Sequence, residues 1–208
     1  MSWDDFDLAF LTTWPVRFHG HSLRERPLGG CETALIELAE RFARRGLRVG
    51  VYCHLPTAAA AGTYDGVTYA DVASAADAIR GGAVKDGALV IQRAASCAPL
   101  GAHARRTFLW IEDMPMVGLR AVHRAAVPFL TEIWAVSAFQ RDRFLARFDL
   151  PPSLFRVIRN GVRAELFGFS EPAPARIPGR LVYASTPFRG LQGLLAAFPQ
   201  VRAVHPHA

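Results

Sequence analysis

Lysine is almost missing from this chain: Lys85 stands alone among 24 basic residues, and the rest are arginine. There is no lysine-rich tail. No segment interleaves aromatic and basic residues in the manner of an RNA-binding strand. The formal net charge of +6 therefore does not by itself argue for nucleic acid, and no nucleic-acid partner is expected. A basic balance also suits an anionic membrane surface or a phosphate-bearing small molecule. The simpler source of so much arginine and alanine is genomic bias. Cysteine is scarce as well. Cys31, Cys53 and Cys97 are scattered with no CxxC pair, which argues against a zinc or disulfide framework and for a reduced, cytoplasmic protein. Apolar runs fall far short of the roughly 20 residues that span a bilayer. The opening MSWDDFDLAF is acidic and lacks the basic n-region of a signal peptide. Finally, no GxGxxG fingerprint occurs, which lowers a nicotinamide reading.

What is present suits a folded domain. Hydrophobic residues make up 51% of the chain and charged residues 20%, enough to bury a sizeable core. Leu8–Thr12 reads as a buried strand. A polar loop carrying His19, His21 and Arg24–Arg26 leads to Gly29-Gly30. ETALIELAERFARRG then repeats apolar residues at helical spacing, and Leu47–Cys53 reads as a second strand. Strand, glycine loop, helix, strand makes one βαβ unit. Asp65-Gly66 reads as a hairpin turn. Further strands are predicted at Leu89–Gln92, Arg106–Ile111, Glu132–Val136 and Phe155–Ile158. Helices are predicted near Ser74–Arg80, over Leu119–Phe129 and over AFQRDRFLARF, which ends near Asp149. The alternation predicts an α/β, Rossmann-like parallel sheet with helices on both faces. Residues 1–167 form this first domain. A proline-rich linker covers 168–179. A strand at Leu181–Ala184 and a helix from Gly190 open residues 180–208, which read as a packed extension of the first domain or as the start of a truncated second one.

Ligands of open parallel sheets bind beyond the carboxyl ends of the strands, and that rule picks the candidate residues. Gly29, Gly30 and Glu32 open the first long helix. Glycines there let the backbone approach a phosphate or sugar, and free N–H groups favour an anion; a flexible turn with a capping glutamate is the plainer alternative. Glu112 and Asp113 follow the strand FLWI and could bind sugar hydroxyls or do acid–base work. Being adjacent, they are expected to face different ways, and loop solvation with a helix cap explains them equally well. Ser137 is placed to cap the next helix and could also touch a ligand. On that helix Arg141, Arg143 and Arg147 form a charged face, solvated by default and attracted to an anionic membrane in the sharper reading. Asn160-Gly161 reads as a tight turn after a strand. Arg189-Gly190 could clamp a diphosphate. His19 and His21 lack a third ligand at metal spacing.

The order of these elements carries more than any one of them. GGCETALIELAERFARRGLRVGVY, then IWAVSAFQRDRF, then FRVIRNGV, a linker, and LVYASTPFRGLQGLLAAFP together resemble the GT-B glycosyltransferases of the large group-1 type. The resemblance spans nearly the whole chain. It implies two Rossmann-like domains facing a cleft, the first on the acceptor side and the second holding a nucleotide-sugar donor. It implies transfer with retention, with no catalytic metal or other cofactor. Gly29 and Gly30 would approach the donor phosphate or the acceptor, and Arg189 the donor diphosphate. Where many members carry a histidine after the strand that ends here at Ile111, this chain has Glu112. It also ends before the family's second-domain E-x7-E region. A sugar transferase incomplete as this chain is the first expectation, and a non-catalytic sugar- or partner-binding module is the second.

Overall fold

A computed structural model describes residues 5–166, 175–185 and 187–207. The chain divides into two compact units, up to Gly161 and from Val162 onward.

The first unit is built on an eight-stranded sheet. Its strands are β1 (Leu8–Thr12), β2 (Val49–Cys53), β3 (Gly62–Tyr64), β4 (Val67–Asp71), β5 (Ala88–Gln92), β6 (Arg106–Ile111), β7 (Glu132–Ala135) and β8 (Phe155–Val157). Their spatial order is β3-β4-β2-β1-β5-β6-β7-β8. All pairings are parallel except β3 with β4. That exception is the hairpin expected at Asp65-Gly66, where both residues take positive φ. The helices are α1 (Ser22–Glu25), α2 (Gly30–Ala43), α3 (Ala75–Arg80), α4 (Arg120–Ala126) and α5 (Ala138–Phe148). This is the expected α/β, Rossmann-like architecture.

Strands of such a sheet are buried on both faces, so they read as continuous apolar runs. All five residues of β1, and all five of β2, are buried. Alternation then splits each strand between two cores. Ala9 and Leu11 join the core that includes Ile79, Phe144 and Phe148. Leu8 and Phe10 join the one that includes Leu35, Ile36 and Ala39 of α2. Fully burying a side chain of this size is worth about 1.5–3 kcal/mol.

The crossover from β5 to β6 is not an α-helix. Ala95–His103 winds as 3₁₀ turns with Pro99 inside, where proline has no N–H to donate. Three other expectations change. The second strand starts at Val49 rather than Leu47. Asn160-Gly161 forms no tight turn; the chain runs on irregularly from Ile158 to Arg163. Leu181–Ala184 is irregular chain rather than a strand, since a strand is stable only with a neighbour to pair with.

The second unit contains α6 (Leu191–Val204), which begins after Gly190 at φ +112° and has no buried residue. Arg189 ends a short 3₁₀ turn, Pro187–Arg189, and is exposed. Residues 168–174 of the expected linker, and Thr186 within ASTPFRGL, lie outside the described residues.

Candidate functional site

From the central strand β1, the chain works outward one way through β2 and β4, then returns to the other side for β5 to β8. The β1/β5 boundary is therefore the switch point of the sheet, where the two crossovers diverge and where open α/β sheets bind ligands beyond the strands' carboxyl ends. Thr12 and Gln92 face each other across that boundary, and Gln92 is in turn level with Trp110 of β6.

Gln92 is the hub. It is buried, and its Nε2 donates to the Cys31 carbonyl oxygen at 2.9 Å and to Glu112 Oε2 at 2.6 Å. One side chain thus joins the first turn of α2 to the end of β6. The Cys31 thiol also hydrogen-bonds the Glu112 carboxyl. Burial pushes that carboxyl up to about 7, against the pull of the bonds from Cys31 and Gln92. Burial, reinforced by the nearby Glu112 charge, pushes the Cys31 thiol up to about 12. Glu112 Oε1 is buried with no hydrogen-bond partner, as is Trp110 Nε1 two residues earlier on β6. Orphaned buried polar atoms are uncommon in native proteins and call for an explanation.

Asp113 turns the other way. Arg93, the residue after Gln92, donates from Nε to Asp113 Oδ2 at 2.6 Å. The two adjacent carboxylates do diverge, each held by one of two adjacent residues at the end of β5. Arg93 is not glycine yet takes φ +62°. Its side chain is 13% exposed, and its guanidinium carbon lies 3.9 Å from the centre of the Trp14 ring.

Around this centre the glycine motif behaves unevenly. Gly29 is the N-cap of α2. A Cβ there would collide with the carboxylate of Glu32, which is buried and folds back on it. Gly29 thus makes room for Glu32, whereas Gly30 has open space where a Cβ would stand. Ser137 caps α5: its Oγ accepts from the Gln140 N–H at 3.1 Å. Gln140 is buried; it accepts from the Val136 N–H at 2.9 Å and donates to the Asp113 carbonyl at 2.9 Å. So Ser137 supports the loop that carries Asp113.

Asn160 and Gly161 are exposed beyond the edge strand β8, and the described contacts do not link them to this cluster. Arg189 and Gly190 belong to the second unit. On α5, Arg141 pairs with Asp142, Arg143 lies 6.0 Å from the Phe139 ring centre, and Arg147 donates to the Pro115 carbonyl. His19 and His21 pair with Glu25 and Asp65 and pack on Tyr64. Among the described residues no three metal-binding side chains converge, and no helix is long and apolar enough to cross a membrane. Sequence reasoning missed Gln92, Arg93, Trp14 and Gln140. The polar pair Gln92-Arg93 at the end of the apolar run ALVI was a usable signal, of the same kind that singled out Glu112-Asp113.

No protein-family model matches the sequence, and no curated protein does. Solved structures match. Anabaena Alr3699/HepE in complex with UDP and glucose aligns over 78% of this chain and 46% of its own, with 18% identity and a TM-score of 0.52. The same protein in complex with UDP aligns over 77% and 46%, with 18% identity and a TM-score of 0.53. The chain spans about half the length of the structures it matches. At this identity the likeness is one of fold.

Proposed function

We propose that this chain is the acceptor-side half of a glycosyltransferase that takes a sugar from a nucleotide-activated donor. The observation that carries the reading is Glu112: a half-buried carboxyl with one buried, orphaned oxygen, at the switch point beside the first turn of α2. The fold likeness to a protein solved with UDP and glucose supports it, as does the motif order from GGCE to NGV.

In the transfer, the bond from the sugar's anomeric carbon to the diphosphate oxygen breaks, and the nucleoside diphosphate leaves with the electron pair. A bond to the acceptor hydroxyl oxygen forms, and the hydroxyl proton passes to the Glu112 carboxylate. The Glu112 carboxyl accepts the hydrogen bond of that hydroxyl. A carboxyl poised near 7 exchanges a proton readily at neutral pH. Gly30, with its open approach, and the N–H groups of the first α2 turn face the donor phosphate or the acceptor. Gly29 and Glu32 shape that turn, and Asp113 and Ser137 hold the β6 and β7 loops. Arg189 and Gly190 contact the donor diphosphate. Transfer proceeds with retention and needs no metal or other cofactor. Residues 1–167 are the acceptor-side domain, 168–179 the linker, and 180–208 the start of the donor-binding domain. The protein works in the cytoplasm. Contact with an anionic membrane through Arg141, Arg143 and Arg147 belongs to the same reading.

A second reading has its own observation. Glu112 is held by Gln92 and Cys31, and Asp113 by Arg93, which suits a sugar- or partner-binding module that performs no transfer. Calorimetry with UDP-glucose and other sugar nucleotides, together with an assay for nucleoside diphosphate release, separates the two. Both are run on the chain as it stands and on a form carrying a second Rossmann-like half. Release of nucleoside diphosphate supports the transferase. If neither form binds or turns over any sugar nucleotide, the transferase reading fails.

A further inference from the structure

Trp14 lies two residues beyond the end of β1, the central strand, and is 47% exposed. The other described tryptophans are committed to packing. Trp110 is buried, and Trp134 stacks on Phe108 at 4.6 Å while its Nε1 donates to Glu132. Trp14 instead stands in the open, and one face of its ring is covered by the Arg93 guanidinium at 3.9 Å.

The way Arg93 reaches that position is unusual. A non-glycine residue with φ near +60° is strained, and such residues persist only where their surroundings over-determine them. Here the Arg93 N–H donates to the Trp110 carbonyl at 2.9 Å, and its side chain is clamped by Asp113 at 2.6 Å. The effect is to carry a guanidinium from the end of β5 over the ring that follows β1, across the switch point. The ring is thereby fixed before anything binds, which lowers the ordering cost of binding.

Resting on the transferase reading, we infer that Trp14 is a platform for a sugar ring of the acceptor, with Arg93 as its positioning residue, so that the acceptor is itself a saccharide or carries one. A pyranose has an apolar C–H face and a polar rim of hydroxyls. The face lies on an indole, and the rim meets donors and acceptors close by, here Asp113 and Arg93. A nucleotide fits this place poorly. The charge of Arg93 is already matched by Asp113, and Glu112 adds a carboxyl, which disfavours a diphosphate here. Trp14 supplies apolar contact, and the polar groups supply orientation, the usual composition of a small-ligand site.

The test uses the 208-residue chain with ¹⁵N-labelled indoles, the Trp14 resonance being assigned by its loss in Trp14→Phe. Methyl pyranosides of the gluco, galacto and manno series, and separately UDP, are titrated. At least one pyranoside shifts the Trp14 resonance saturably in about the millimolar range. Trp14→Ala weakens that pyranoside by about ten-fold or more, and Trp14→Phe by about three-fold or less, read by calorimetry. Arg93→Ala weakens it without lowering the melting temperature to the same degree as a core substitution, and Arg93→Lys recovers part of the loss. The platform is overturned if no pyranoside moves Trp14, if UDP alone does, or if Trp14→Ala binds as tightly as the native chain. The two readings fail separately. Sugar-nucleotide turnover with a silent Trp14 removes only the platform. A shifted Trp14 in a protein that binds no sugar nucleotide removes the transferase and leaves a saccharide-binding site.

Discussion

The two rims of the same sheet treat their charges in opposite ways. At the amino-end rim, Arg48 donates from its backbone N–H and from its guanidinium to Asp7, at 2.7 to 3.2 Å, and also reaches Asp5 at 2.7 Å. Glu132, at the start of β7, accepts from both Nε and Nη2 of Arg156 and from Trp134 Nε1. The Arg48 guanidinium holds the Asp7 carboxyl below its ordinary range, and Arg156 does the same for Glu132. At the carboxyl-end rim Asp71, at the end of β4, is likewise held low by backbone N–H groups, but beside β5 and β6 the sign reverses. Burial raises Glu112, one of its oxygens lacks a partner, and the neighbouring Arg93 sits in a strained conformation. Matched charges on a surface rim serve the fold. A half-buried carboxyl with an unpartnered oxygen weakens the fold where it sits, which is the pattern of a site kept for a ligand.

The sharpest way to break this comparison is Glu112→Gln. It keeps the shape and still accepts from Gln92, but it cannot take a proton. Under the proposed function, sugar transfer falls by about 100-fold or more, in keeping with the loss of a positioned acid–base group. A variant within a few-fold of native would show that the orphaned oxygen is not used in transfer.

Stability against pH tests the same carboxyl without any substrate. The folded Glu112 binds its proton up to about pH 7, whereas the unfolded chain releases it near 4.3. Between those values the folded state holds more protons, so the contribution of Glu112 to stability falls as pH rises and then levels off above about 7. The full loss is on the order of 3 kcal/mol. Asp7 and Glu132 act in the opposite sense, since their contribution is present above the unfolded pKa and is lost as acid protonates them. Urea unfolding across pH 4 to 8 reads the difference. Glu112→Gln flattens the decline and is the more stable protein at pH 8. An unchanged slope would mean that Glu112 titrates normally.

The contrast between the rims was partly legible in the amino-acid sequence. Strand after strand could be placed because burial on both faces demands continuous apolar runs, and β1 and β6 fall where LAFLT and RTFLWI predict them. The position of Glu112 and Asp113 at a carboxyl rim followed from the same pattern. What each carboxylate touches did not, because Gln92, Cys31 and Glu112 come from three separate segments and meet only through the strand register. The role of Gly29 was hidden for a local reason: nothing in GGCE says that Glu32 folds back onto the first glycine. Leu181–Ala184 misled because its apolar run satisfies a strand pattern, while no strand among the described residues pairs with it.

Ser137 offers a smaller test of the carboxyl rim. Its cap on Gln140 is linked, through the Gln140 amide, to the Asp113 carbonyl. Ser137→Ala costs about 1 kcal/mol as a lost N-cap, read as a shift in the urea midpoint. Because Asp113 clamps Arg93, a drop in pyranoside affinity accompanies that shift. A stability loss with unchanged affinity would confine Ser137 to capping.

The smallest effect belongs to the opposite rim. Arg48 is exposed, and exposed ion pairs contribute little because water and salt screen them. Arg48→Ala therefore moves the urea midpoint less than Ser137→Ala does, and the shift shrinks further in high salt. Its clearer trace is at low pH. Without the guanidinium only the backbone N–H of residue 48 still lowers Asp7, so the part of the acid-induced loss that Asp7 supplies shrinks in the stability profile. Pyranoside binding stays at the native level. If Arg48→Ala weakened that binding, the two rims would be coupled through the sheet, and the division between a rim for folding and a rim for ligand would not hold.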